Sequence, residues 1–159
     1  MASSNFLFCD ANSIWHEKVA DGLSQWAEVL ALHPYSSFTT QRESNVQTEL
    51  ASKRLEVWLP PGWASSLSYV GAKVLSAKID RFANLIDDPI LVFTSPAYAS
   101  TLKQVSGKYR TVYYCADDYR SYEGWKSTRT REGSMMKMAD VAVFVSAALA
   151  ERGIREGCA

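Results

Sequence analysis

The chain has 159 residues, of which 47% are hydrophobic and 21% are charged. This balance is typical of a globular domain, and it excludes a collagen-like, disordered or disulfide-scaffold chain. Seventeen basic residues are matched by seventeen acidic ones, so no overall field attracts nucleic acid or an anionic membrane. We therefore expect no nucleic-acid partner, and an anionic ligand would have to bind at a local patch.

The sequence also bears on the location of the protein. A membrane span needs about 18 consecutive apolar residues, and a secretory signal begins with positive charges. The sequence shows neither feature. We expect a cytoplasmic protein, and peripheral contact with the inner face of the membrane is the alternative location.

The cysteines and histidines predict no metal centre. Cys9, Cys115 and Cys158 are odd in number and show no Cys-x-x-Cys spacing, so we expect thiols that pack as small hydrophobic groups. His16 and His33 are too far apart, and too poor in neighbouring cysteines, for a zinc site. We expect neither a metal ion nor a bound cofactor.

The first half of the chain alternates short apolar runs with segments of helical period. Residues 5–9 predict a strand, and residues 10–13 predict a turn that ends on a good helix N-cap. Apolar residues at helical spacing predict one helix over 14–30, which His33 and Pro34 bring to an end.

The next segment, residues 36–53, is polar and weakly patterned. Within it we expect a strand at 38–40 and a short helix at 46–50. An alternating strand follows at 55–59, and a long amphipathic helix is predicted over 70–86.

The second half of the chain repeats the order of strand and helix. The predicted elements are a strand over 90–94, a helix that ends near Ser106, a strand over 111–116, a helix over 130–138, a strand over 141–145 and a helix over 147–152. Apolar strands joined by crossover-length helices favour a parallel sheet covered on both faces. We predict one α/β domain over residues 1–159, with a Rossmann-like three-layer architecture. Because no strand follows the last helix, we expect the domain to be cut short at its C-terminal end.

Ligands of an open parallel sheet bind beyond the carboxyl ends of its strands. The loops that leave these ends are residues 10–16, 60–66, 95–98 and 117–125, and the turn at Ser146. The first loop contains no glycine, and the chain has neither a phosphate-loop motif nor a nucleophile elbow. A dinucleotide-dependent dehydrogenase, a P-loop NTPase and a serine hydrolase of the elbow type are therefore disfavoured.

The segment richest in chemical groups is residues 113–125. It places Asp117 and Asp118 at the end of a strand, followed by Tyr119 and Trp125. Flat aromatic faces with a polar edge suit sugar rings. The alternative is that one of the two aspartates caps the following turn. A manganese site would need Asp-x-Asp spacing and a third ligand, and the segment offers neither.

Three segments together resemble the N-terminal domain of GT-B glycosyltransferases. They are a strand that ends in proline (90–96), a strand of the Tyr-Asp-Cys-x-Asp-Asp type (112–119), and a strand and helix with Ala-Asp, Ser and Leu at matching spacing (139–150). The likeness is to bacterial teichuronic acid and capsule transferases of glycosyltransferase families 1 and 4. It covers residues 55–152 well and the preceding residues only in outline.

The resemblance implies a transferase that moves a sugar from a nucleotide-sugar to a hydroxyl acceptor. This chain would supply the acceptor side, and a C-terminal GT-B domain or a partner subunit would hold most of the nucleotide-sugar. The isolated chain is therefore expected to be inactive. The candidate acceptor-binding residues are Trp15, Pro96, Asp117, Asp118, Tyr119 and Ser146.

His16 is the candidate catalytic residue, because an imidazole titrates near neutral pH and can accept the proton of an acceptor hydroxyl. The alternative is a histidine in a first helical turn with no catalytic role. The family's first loop carries an aromatic residue followed by a helix start rich in Arg and Gln, whereas here Trp15 is followed by His16, Glu17 and Lys18. The role of this loop in the family therefore does not transfer directly.

Two further segments have open interpretations. Residues 120–137 carry five basic residues against two acidic ones, a net charge of +3, which would attract a diphosphate or an acidic acceptor unless the segment is simply solvated. The loop at 58–63 is apolar enough to touch lipid or the lipid tail of an acceptor. Packing of this loop against its own strand or against a second domain is the alternative.

Two other classes of protein compete with the transferase. One is a non-catalytic α/β module that binds a protein partner through the end of its sheet. The other is a flavodoxin-like protein that binds a nucleotide or a flavin. That class needs a phosphate-binding loop after the first strand, where Asp10 would repel phosphate.

Overall fold

Six strands form one sheet in which every neighbouring pair is parallel. The computed structural model describes residues 5–36, 53–65, 67–119, 121 and 126–158. The strands are β1 (Asn5–Phe8), β2 (Val29–Tyr35), β3 (Lys53–Trp58), β4 (Pro89–Phe93), β5 (Arg110–Cys115) and β6 (Val141–Phe144). The helices are α1 (Ile14–Ser24), α2 (Ser68–Ala83), α3 (Ala99–Val105), α4 (Lys126–Met138) and α5 (Ala147–Arg155), and a 3₁₀ turn (Pro96–Tyr98) precedes α3.

The spatial order of the strands is β3-β2-β1-β4-β5-β6. The chain thus runs outward from β1 to β3, returns through α2 to place β4 beside β1, and runs outward again on the other side. The direction of winding changes between β1 and β4. This switch point leaves a crevice at the carboxyl ends of the two strands, where open parallel sheets bind their ligands.

The two faces of the sheet carry separate apolar clusters. On one face α1 packs through Val19, Ala20 and Leu23 against Phe8 and Val92. On the other face α2, α3, α4 and α5 cover the larger cluster, which includes Leu75, Leu102, Met135 and Leu149. The α/β, three-layer, Rossmann-like architecture predicted from the sequence is therefore confirmed.

The predicted helix over 14–30 is wrong in its second half. Helix α1 ends at Ser24, and residues from Val29 to Tyr35 form β2 between β1 and β3. A parallel strand that is buried on both faces is an unbroken apolar run, and this run matches helical spacing by coincidence. Trp26, which the helical pattern assigned to the buried face, is exposed.

Pro34 lies inside β2 although proline disrupts most interior strands. The Leu32 carbonyl accepts from the Ala11 N–H on the β1 side, whereas the Tyr35 carbonyl accepts from the Leu59 N–H on the β3 side. Alternate residues of a strand point their backbone groups to the same neighbour, so the nitrogen of Pro34 faces the β1 side. The last residue of β1, Phe8, pairs with Ala31, so Pro34 lies beyond the paired length of β1.

The other predicted elements agree with the structure within a few residues, except that α4 begins at Lys126 and not near Thr130. The strand predicted at 38–40 and the helix predicted at 46–50 lie outside the described residues. Among the helices described, none has the length and apolar character needed to cross a membrane.

The packing of α2 gives a test of this fold. A Cβ atom on Gly71 would lie 2.6 Å from Trp63 Cβ and 3.1 Å from Trp63 Cα, whereas one on Gly133 of α4 would meet nothing within 4 Å. We expect Gly71→Ala to lower the free energy of unfolding by about 1 to 3 kcal/mol, and Gly133→Ala to raise it by up to about 1 kcal/mol. Urea unfolding measures both, and a Gly71→Ala protein as stable as the wild type would contradict the close approach of Trp63 to α2.

Candidate functional site

A buried carboxylate joins the two strand ends at the switch point. Asp10 follows β1 and is only 1% exposed. It accepts hydrogen bonds from the Thr94 N–H, at 2.8 Å to Oδ1 and 3.0 Å to Oδ2, and from the Ser95 N–H at 2.8 Å. Burial raises the pKa of Asp10 from 3.8 to about 7, and the hydrogen bonds from Thr94 and Ser95 oppose that rise.

His16 is held beside this carboxylate by the start of α1. Ser13 caps the helix, and its Oγ accepts from the His16 N–H at 3.2 Å. The imidazole Nδ1 lies 2.9 Å from the Oγ1 of Thr94. That hydroxyl also lies 3.4 Å from the main-chain carbonyl oxygen of Asp10, to which it donates.

The tautomer of His16 is linked to the direction in which the Thr94 hydroxyl donates its proton. A threonine hydroxyl has one proton to donate. If Thr94 donates it to the Asp10 carbonyl, Thr94 must accept from an Nδ1–H of His16. Burial lowers the pKa of His16 below its ordinary value, which favours the neutral imidazole near pH 7, and in that hydrogen-bond arrangement the lone pair is on Nε2. Within the described residues, no group hydrogen-bonds to Nε2.

A second set of contacts brings the loops after β1, β3 and β4 together. Asn12 Nδ2 donates to the hydroxyl of Tyr98 at 2.8 Å. The ring of Tyr98 in turn lies against the ring of Trp63, with 4.8 Å between centroids and 33° between planes. The loop that carries Trp63 is held from α4, where Arg131 Nη1 donates to the Ala64 carbonyl at 2.7 Å.

The loop after β5 reaches the same place through Tyr119. Its hydroxyl donates to the Thr94 carbonyl at 2.9 Å. Pro96 is buried two residues after Thr94 and begins the 3₁₀ turn. Three of the residues predicted from the sequence, His16, Pro96 and Tyr119, are therefore gathered around Thr94.

The structure gives Asp117, Asp118 and Ser146 contacts away from His16. Asp117 Oδ1 accepts from the Asp118 N–H at 2.8 Å. Asp118 forms an ion pair with Arg152 of α5. Ser146 is the N-cap of α5, since its Oγ accepts from the Leu149 N–H at 3.3 Å.

The remaining predicted acceptor-binding residue, Trp15, is exposed at the start of α1. The Nζ atom of Lys18 lies 5.4 Å from the centroid of a Trp15 ring. Among the described residues, no contact joins Trp15 to the groups around Thr94.

Three residues of the site were not predicted from the sequence: Asp10, Asn12 and Thr94. Asp10 and Thr94 each follow directly on an apolar strand, which is a usable signal. Their pairing, however, joins residues 84 positions apart and depends on β1 lying beside β4, which the sequence pattern does not specify.

The basic segment over 120–137 has mixed roles. Glu132 is fully buried and accepts from Arg152 Nη2 at 3.1 Å, while Arg129 and Lys137 line an open groove of about 450 Å³ with Glu156. Arg120, Glu123 and the side chain of Lys126 lie outside the described residues. One of the two acidic residues of this segment, Glu132, is thus paired inside the protein.

The three cysteines are free thiols. Cys9 and Cys115 lie in the apolar core and Cys158 packs against it, as predicted. Across the described ranges, no three His, Cys, Asp or Glu side chains are grouped as a metal site requires.

Comparisons with models of known protein families, with curated proteins and with solved structures find no match for this chain. The functional interpretation therefore depends on the geometry of the switch point. That geometry combines a neutral imidazole, a carboxyl group that titrates near pH 7 and an amide held by a buried tyrosine.

The raised pKa of Asp10 gives a test of the site. Between pH 4 and 7 the folded protein binds more protons at Asp10 than the unfolded chain does, so Asp10 lowers the free energy of unfolding as the pH rises. The lowered pKa of His16 acts in the opposite sense, but it is common to the wild type and Asp10→Asn. We expect the stability difference between the two proteins to shift in favour of Asp10→Asn by on the order of a few kcal/mol over this range. Chemical denaturation at each pH measures this difference in the free energy of unfolding. A difference that does not change with pH would contradict the raised pKa of Asp10.

Proposed function

We propose that this chain is the acceptor-side domain of a GT-B glycosyltransferase. The complete enzyme transfers a sugar from a nucleotide-sugar to a hydroxyl acceptor, and a second domain or a partner subunit holds most of the donor. The observation that carries the proposal is the position of His16 at the switch point, where its Nδ1 lies 2.9 Å from Thr94 Oγ1. The resemblance over residues 55–152 supports the same class.

The chemistry assigned to His16 is the transfer of one proton. As the acceptor oxygen forms a bond to the anomeric carbon of the sugar, the bond from that carbon to the donor phosphate breaks, and the nucleoside diphosphate leaves with the electron pair. The acceptor O–H proton passes to Nε2 of His16. The Nδ1–H bond to Thr94 then stabilises the imidazolium, and Asn12 and Tyr119 lie where they can contact the acceptor.

We also propose that the domain works at the inner surface of a membrane, where a lipid-linked acceptor would be found. The exposed aromatic residues at the carboxyl edge of the sheet support this location. Within the 58–63 loop, for which lipid contact and packing were both left open, Trp63 packs on Tyr98.

The flavodoxin-like alternative is disfavoured by the loop after β1. Flavin and nucleotide phosphates bind to glycine-rich turns whose N–H groups face the ligand. Here the loop has Asp10 in place of a glycine, and the buried Asp10 carboxylate already accepts N–H groups from Thr94 and Ser95. A non-catalytic module that binds a protein partner does not require a neutral buried histidine in this crevice, so His16 favours the transferase over that alternative.

The protonation of His16 tests the base role directly. We expect nitrogen NMR of the wild type to show the Nδ1–H tautomer and a pKa below 6.5. Thr94→Val removes the acceptor of that proton, so the Nε2–H tautomer should become the larger population, while Thr94→Ser should retain the wild-type signature. Wild-type protein in the Nε2–H form would overturn the assignment of His16 as a proton acceptor.

Ligand binding tests the proposal that this chain binds the acceptor and that the second domain binds most of the donor. Methyl glycosides of glucose and N-acetylglucosamine, titrated to millimolar concentration, should shift the amide resonances of Asn12, His16 and Tyr119. UDP-glucose should bind weakly or undetectably by calorimetry, because its main site is on the other domain. Tight binding of UDP-glucose, or of flavin mononucleotide, to this chain would contradict the proposal.

A further inference from the structure

We propose that β6 is the contact edge of a homodimer, in which two copies of the chain pair their β6 strands antiparallel about a two-fold axis and form one continuous sheet. Strand β6 is the last in the spatial order, so only one side of it pairs with a described strand. Val141 and Val143 are 50% and 41% exposed, and Val145, just beyond the strand, is 50% exposed. An apolar row of this kind at a sheet edge is suited to pairing with another strand.

The two edge strands of the sheet differ in how they are protected. Edges that stay unpaired usually carry charged side chains or proline. The other edge strand, β3, exposes Lys53, Arg54 and Glu56. Residues 141–145 are Val-Ala-Val-Phe-Val, with neither a charge nor a proline. Strand β6 thus lacks the features that discourage pairing between copies, whereas β3 has them.

The backbone of β6 has hydrogen-bonding groups available on its outer side. The Val145 N–H donates to the Cys115 carbonyl on β5 at 3.3 Å. Alternate residues of a strand point their backbone groups to opposite sides, so Ala142 and Phe144 point theirs away from β5. Among the described residues, no backbone group bonds to them on that side. In the proposed dimer, Ala142 exchanges both of its backbone hydrogen bonds with Phe144 of the second copy.

This register makes the exposed row self-complementary. When Ala142 lies opposite Phe144 of the second copy, Val143 lies opposite its own counterpart on the two-fold axis. Val141 then lies opposite Val145 of the second copy. These are non-hydrogen-bonded pairs, in which the side chains of antiparallel strands come closest. Each exposed valine therefore meets a valine, as an isologous contact requires.

Helix α5 extends the same surface below the sheet. A Cβ atom on Gly153 would lie 2.4 Å from the ring of Phe144, so Ile154 lies at the level of the middle of β6. Arg152 reaches inward to Glu132 of α4. Because Ile154 is about 200° further around the helix axis than Arg152, it points to the open side, and it is 71% exposed. The two-fold axis brings the two Ile154 side chains towards each other.

The charges around Ile154 favour a second copy as the occupant. The two-fold axis makes the two α5 helices antiparallel. Glu151 and Arg155 are exposed on either side of Ile154, so Glu151 of each copy lies near Arg155 of the other. Opposite charges thus meet twice across the axis. Because the chain has a formal charge of zero, no overall repulsion opposes the pairing of two copies.

Sedimentation velocity of the whole chain, at concentrations from about 1 to about 300 µM, tests the dimer. We expect a reversible monomer–dimer equilibrium with a dissociation constant on the order of 10 µM, because one strand edge and one short helix form a small interface. Val143→Lys places two like charges opposite each other and should weaken association at least about tenfold. The matched control is Val70→Lys, because Val70 is 45% exposed but lies on α2.

Charge exchange on α5 tests the antiparallel contact. Glu151→Arg alone and Arg155→Glu alone should each weaken association roughly threefold to tenfold, and the double variant should restore it. A double variant that associates more weakly than both single variants would overturn the arrangement of the two helices.

Disulfide cross-linking tests the register and does not depend on how tightly the copies associate. In a Cys158→Ser background, Val143→Cys should form a covalent dimer with oxidised glutathione, because the two Cβ atoms face each other across the axis. Val141→Cys should not, because it faces Val145 of the second copy. Cys9 and Cys115 are buried in the monomer. This measurement decides the case if Val143→Lys fails to fold.

Three results would each overturn the inference: a chain that stays monomeric over the whole concentration range, equal association of Val143→Lys and Val70→Lys, or equal cross-linking of Val141→Cys and Val143→Cys. The inference does not rest on the proposed function, because β5 separates β6 from the switch point. A monomeric Val143→Lys protein that keeps the glycoside-induced shifts at His16 supports both proposals. A dimer without those shifts supports the contact at β6 and counts against the transferase.

Discussion

The arrangement of the candidate site depends on one buried interaction, in which the Asp10 carboxylate accepts the backbone N–H groups of Thr94 and Ser95. It joins the ends of β1 and β4 where the winding of the sheet changes direction. Removing a carboxylate from water is costly unless its oxygens are hydrogen-bonded. The pKa of about 7 shows that the three contacts only partly offset this cost.

Thr94 connects the Asp10 interaction to the other residues of the candidate site. Its N–H binds Asp10, its hydroxyl contacts His16, and its carbonyl accepts from Tyr119. A single residue at the end of β4 thus positions groups from the loops after β1 and β5. Tyr98 plays the corresponding part between the loops after β1 and β3, through Asn12 and Trp63.

These links support the proposal of a transferase domain over the two other classes. A crevice built for a nucleotide would present N–H groups to phosphate, whereas here the available N–H groups of Thr94 and Ser95 are turned inward to a carboxylate. What the crevice offers is a neutral imidazole, an amide and aromatic rings, which suit a hydroxylated ligand.

Ion pairs and caps account for the predicted residues that do not join the site. Asp118 pairs with Arg152, which also binds the buried Glu132, and Ser146 caps α5. The strand-end rule placed these residues at the correct edge of the sheet. It could not separate them from the group around Thr94, because that separation depends on which side chains meet across neighbouring loops.

The sequence by itself determined the class of fold, because apolar runs such as 90–94 and amphipathic periods such as that of α2 are local properties of the chain. It misassigned residues 29 and 30 to a helix, because a strand buried on both faces has no alternation to distinguish it from a helix. It also indicated His16, Pro96 and Tyr119, since each follows a strand end. Only the tertiary structure decided that Asp10 meets Thr94, because hydrogen bonds between residues 84 positions apart arise from the order of strands in the sheet and not from any pattern along the chain.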